Sequence, residues 1–85
     1  MLHVETDGDG DQVFIHMDQA GVVQLKTILE AYEDRPESPE HDHLMSPSWG
    51  GGELEEEIDA AKKDSDHGAN RTVHHVELYF WPAGS

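Results

Sequence analysis

Only one long stretch of this 85-residue chain repeats its apolar side chains at helical spacing. Val22, Leu25, Ile28, Leu29 and Tyr32 fall on one side of residues 18 to 33, with Gln24, Lys26, Thr27, Glu30 and Glu33 on the other. One helix can cover one face of one sheet, so the architecture is limited to two layers whatever strands accompany it. Asp18 is placed to cap the helix start, its carboxylate accepting from the free amides of the first turn. The Arg35-Pro36 step ends the helix, because proline disfavours helical backbone in the residue before it. The apolar stripe reads as core and implies no cofactor.

Strands flank this helix. Leu2, Val4 and Thr6 alternate with His3 and Glu5, and Val13, Ile15 and Met17 alternate with Phe14 and His16. Between them Asp7-Gly8-Asp9-Gly10-Asp11 supplies two Asp-Gly pairs, a strong short-range hairpin signal. The same aspartates resemble the opening of a calcium loop, but Gln12 stands where such a loop turns on glycine and Asp18 where it ends on glutamate. After the helix, residues 34 to 42 read as an acidic, proline-containing linker and 42 to 46 as a short strand. Leu54, Ile58 and Ala61 are compatible with a short helix over 53–63, and 64 to 70 read as a mobile loop. Thr72 to Trp81 is a β-branched and aromatic strand stopped by Pro82, with Val76, Leu78 and Phe80 on one face. The expectation is a single α+β domain over 1–85: a small, mainly antiparallel four-stranded sheet with one amphipathic helix, in the order β-β-α-β-β. An acidic, mobile insertion interrupts it at about 53–70. Phe14, Tyr79 and Trp81 are expected on the face the helix leaves open, which calls for cover from residues 47 to 70 or for a partner, a homodimer being the simplest.

Charge narrows the partner class. Nineteen acids against five lysines and arginines give a net charge of −14, and twelve of the acids lie between residues 33 and 66. Phosphate contacts need lysine and arginine, so nucleic acid and anionic membrane are not expected partners, whereas a basic protein is electrostatically favoured. The same acidity also serves plain solubility. No cysteine is present, which removes disulfides and thiolate metal sites and favours a reducing compartment. No apolar run has the length of a membrane span, and Met1 to Glu5 does not resemble a signal peptide, so a cytoplasmic location is expected.

Chemistry-bearing residues are few. His41-Asp42-His43 puts two imidazoles on one face of an extended segment, and His74-His75 opens the last strand; if the two strands are neighbours, their nitrogens could converge on zinc. Ordinary surface or half-buried histidines are the competing reading. No nucleophile elbow surrounds Ser46 or Ser48, and the acids behind Gly50, Gly51 and Gly52 would repel phosphate, so neither an enzyme nor a bound cofactor is expected.

One further stretch, His43-Leu44-Met45-Ser46-Pro47-Ser48-Trp49-Gly50-Gly51-Gly52-Glu53-Leu54, sets a tryptophan beside three glycines. Trp49 there either closes the edge of the core or anchors a recognition surface. Together with Val73-His74-His75-Val76-Glu77-Leu78-Tyr79 this stretch resembles the immunity protein 32 family, small bacterial proteins attributed to polymorphic-toxin systems. The resemblance covers about 20 of the 85 residues, and the acidic insertion from Glu55 to Ala69 departs from the family pattern. It implies a non-enzymatic inhibitor that covers a basic toxin, such as one that cleaves nucleic acid, by surface complementarity. Trp49, Gly50, Gly51, Glu53, Glu55, Glu56 and Glu57 are the residues expected to face that partner.

Overall fold

The computed structural model describes residues 1–58 and 70–83. Strand β1 (Leu2–Thr6) and strand β2 (Val13–Met17) form the expected hairpin, in register from Leu2↔Met17 to Thr6↔Val13. The Asp7 carboxylate accepts from the amides of Asp11 and Gln12 at 2.8 and 3.3 Å, so this acid closes the turn. Helix α1 (Gln19–Asp34) follows, with Asp18 as its N-cap accepting from the Gly21 amide at 3.0 Å. Its C-cap is Arg35, directly before Pro36.

Strand β3 (Glu40–Met45) leads into a 3-10 turn at Pro47–Trp49; β4 (Arg71–Thr72) and β5 (His75–Phe80) complete the fold. The architecture is a small α+β fold with antiparallel sheets, as expected, but the strands divide into two sheets where one of four strands was anticipated. One has the order β2-β1-β4; the other is the β3-β5 ribbon. The anticipated single last strand is split at Val73 and His74. The Val73 amide still donates to Val4 of the first sheet at 2.8 Å, while the His74 carbonyl accepts from Ser46, just past β3, at 2.9 Å. The chain changes sheets at that step because its successive backbone groups are claimed by different neighbours.

Leu2, Val4, Leu44 and Leu54 form the buried core between the sheets, with Leu25, Ile28, Val73, Val76 and Leu78 packed against it. Of the α1 stripe, Leu25 and Ile28 are half-buried and Tyr32 is buried, while Val22 and Leu29 stay exposed, so the stripe is core only in part. Leu54 is 1% exposed. It is delivered by an irregular segment and not by the anticipated helix: residues 53 to 58 are non-helical, and the remainder of 53–63 lies outside the described residues. The Leu54 amide donates to Met45 and the Glu55 amide to Leu2, which lays this segment across the ends of both sheets. Among the described residues no helix is long and apolar enough to cross a membrane.

Candidate functional site

Side chains alternate faces along a strand, and the β3-β5 register therefore decides which residues share a surface. Leu44↔Val76 and Asp42↔Leu78 pair on the face toward the core. His41↔Tyr79, His43↔Glu77 and Met45↔His75 pair on the other. That outer face carries a continuous row of rings. Trp81 stacks on Tyr79 with centroids 6.2 Å apart, Tyr79 on His41 at 5.6 Å, and His41 meets His43 edge-on at 5.1 Å. His43 stacks on His75 at 5.1 Å, and Trp49 covers the end of the row, 5.9 Å from His75 and 6.3 Å from His74. Trp49, Tyr79 and Trp81 are 57, 56 and 68% exposed.

The Trp-Gly turn holds its end of the row in place. Trp49 and Gly51 both donate to the Ser46 carbonyl at 3.0 Å, and Gly50 takes a left-handed conformation (φ 87°) that favours glycine. Ser46 is fully buried, and its hydroxyl lies 2.7 Å from His74 Nδ1. At Gly51 an added Cβ would come within 2.5 Å of the Met45 carbonyl oxygen, so the close approach of the two backbones requires glycine.

The acids around this turn do different things. The Glu53 carboxylate accepts from the Gly52 amide at 2.6 Å, which holds its pKa below the usual carboxylate range. The Glu56 carboxylate accepts from the Ser48 amide at 2.6 Å and is lowered by its hydrogen bonds to Ser48. Glu55 contributes backbone, donating its amide to Leu2 and accepting from His3 Nδ1 at 2.8 Å, and its side chain is exposed, as is that of Glu57. Trp49, Gly50, Gly51 and the Glu53 and Glu56 carboxylates therefore sit at one end of the ring row, and Tyr79 and Trp81, absent from the expected partner-facing set, occupy the other.

Of the four histidines considered for a metal, the structure brings two together. His43 Nδ1 lies 2.9 Å from His75 Nε2, and Glu77 Oε1 lies 3.6 and 3.5 Å from those atoms. His74 turns to Ser46, and His41 stacks on Tyr79 and meets His43 edge-on. Glu77 was not expected in the cluster. Its signal was the pairing of position 43 with 77, which a sequence pattern does not contain. The Tyr79 hydroxyl donates to Glu77 Oε2, lowering the Glu77 pKa and raising that of Tyr79.

A second polar cluster lies on the other sheet. Glu5 is only 2% exposed, and it meets His16 Nε2 at 3.0 Å, Asn70 Nδ2 at 3.3 Å and His3 Nε2 at 3.4 Å. Burial raises its pKa, and hydrogen bonds from His16, Asn70 and His3 outweigh that, leaving it below the ordinary value. The chain matches no family model, no curated protein and no solved structure.

Proposed function

We propose that this chain is a non-enzymatic binding protein that neutralises a basic protein toxin by covering its surface with the outer face of the β3-β5 ribbon. The observation that carries the reading is the exposed row of rings from Trp81 through Tyr79, His41, His43 and His75 to Trp49. Tryptophan and tyrosine are enriched among residues that dominate interface energetics, and rings already stacked on one another lose little freedom when a partner covers them. Carboxylates flank the row at both ends of the Trp-Gly turn, and a net charge of −14 steers the face toward cationic surfaces. Trp49, Tyr79 and Trp81 act as anchors. Glu55 and Glu57 form a charged rim, while Glu53 and Glu56 fasten the loop that presents Trp49.

The test is a protection experiment. A cell producing the cognate basic toxin domain should survive when this chain is co-produced, and the purified pair should associate at a rate that falls as salt rises. Continued killing, or association indifferent to salt, contradicts the reading.

A second reading has its own observation. Val13, Ile15 and Met17 on the edge strand β2, with Val22 and Leu29 on α1, are all exposed apolar side chains. An exposed apolar surface of this kind suits a second copy of the chain, giving a homodimer.

A further inference from the structure

Ligand atoms around a four-coordinate zinc ion, bound at about 2.0–2.2 Å, stand roughly 3.3–3.5 Å from one another. The triangle of His43 Nδ1, His75 Nε2 and Glu77 Oε1 has sides of 2.9, 3.6 and 3.5 Å. A point about 2.05 Å from all three atoms exists, and it lies about 0.6 Å out of their plane, close to the roughly 0.7 Å of a regular tetrahedron. We propose that His43, His75 and Glu77 form a site for a divalent transition-metal ion of the zinc type, its fourth position taken by water.

Three features of the fold support it. The ladder pairs His43 directly with Glu77 and places His75 one pair away on the same face, so all three ligands stand on paired strands and not on loops. The Glu77 carboxylate is oriented from behind, because the Tyr79 hydroxyl occupies Oε2 and leaves Oε1 toward the imidazoles. The donors themselves select the ion. Two imidazoles with one carboxylate suit zinc, nickel or copper, whereas magnesium and calcium take oxygen ligands. When both rings are neutral, the 2.9 Å contact holds one N–H between them. Moving that proton to the other nitrogen of its ring frees both lone pairs for the metal without changing the net charge.

The site lies between Trp49 and Tyr79 on the face assigned to partner binding, but it does not depend on that assignment. The test uses the isolated protein and zinc chloride, read by calorimetry and by histidine ring NMR. One equivalent of zinc should shift the His43 and His75 rings while leaving His3 and His16 in place, and magnesium should shift none. His43→Ala, His75→Ala and Glu77→Gln should each weaken binding at least tenfold, and Tyr79→Phe about tenfold, in keeping with the usual 10–100-fold effect of an orienting partner. His41→Ala, outside the triangle, should stay within about threefold of the parent. The ring shifts are read on the unaltered chain, so a variant that fails to fold leaves the test intact. Binding without a defined stoichiometry, shifts spread over every histidine, or an affinity indifferent to Glu77→Gln would overturn the proposal and identify diffuse uptake by surface carboxylates.

Discussion

The Tyr32 hydroxyl, near the end of α1, donates to the Asp42 carboxylate of β3, and the Tyr32 ring lies nearly parallel to Phe80 of β5 at 5.5 Å. This is how the helix grips the ribbon that carries the ring row. Burial, and then the Asp42 carboxylate, push the Tyr32 pKa up to about 12. Tyr32→Phe keeps the ring and removes the donor, so it should cost about 1–3 kcal/mol in urea unfolding. Because the folded pKa is raised, the tyrosine's contribution is complete below pH 10 and is lost as pH climbs toward 12. The parent should lose stability over that alkaline window more steeply than Tyr32→Phe. Coincident curves would place the helix–ribbon link elsewhere.

Glu5 gives the opposite limb. Its pKa is lowered in the fold, so the stabilisation it brings is present above the unfolded value near 4.5 and is lost as pH falls through the lower folded value. Glu5→Gln should destabilise the protein at neutral pH and flatten its acid unfolding curve. An unchanged acid limb would show that other carboxylates govern it.

Leu54 tests whether the segment after the glycines is part of the core. Leu54→Ala should cost about 2–5 kcal/mol, as for other fully buried leucines. Gly51→Ala should also destabilise, since its methyl would press on the Met45 carbonyl oxygen and Met45 Cβ. Melting temperatures equal to that of the parent would detach this segment from the fold.

Exposed Val13, Ile15 and Met17 make an oligomerisation prediction. With a net charge of −14 on each copy, self-association through β2 should strengthen as salt screens repulsion, and Ile15→Lys should abolish it. Sedimentation at low and high salt checks this. A monomer under both conditions removes the homodimer reading.

The parts of this fold that follow from neighbouring residues were legible in the sequence. Asp18 and Pro36 bracket α1, and Asp7 closes the first hairpin with its own loop amides. What depends on distant neighbours was not. The break of the last strand at Val73 and His74 arises from Val4 and Ser46 competing for consecutive backbone groups. Leu54 shares a helical spacing with Ile58 and Ala61, yet it reaches the core on an irregular segment whose amides bond to Met45 and Leu2, and no local pattern announces that. Glu5 sits at an alternating polar position that ordinarily faces water, and its partners His16 and Asn70, like the Glu55 carbonyl that meets its neighbour His3, come from distant parts of the chain. The candidate site was half visible: four histidines could be named, but the choice of His43 and His75 and the entry of Glu77 required the strand register.

The central claim is that the outer face of β3-β5 serves recognition and contributes little to folding. Its most direct test is to measure unfolding stability and toxin-domain affinity side by side for Trp49→Ala and Trp81→Ala. Both side chains are more than half exposed, so each variant should stay within about 0.5 kcal/mol of the parent in stability while losing about 2 kcal/mol or more of binding, roughly thirtyfold in affinity. Variants that bind as tightly as the parent, or that lose stability in step with affinity, would contradict the account.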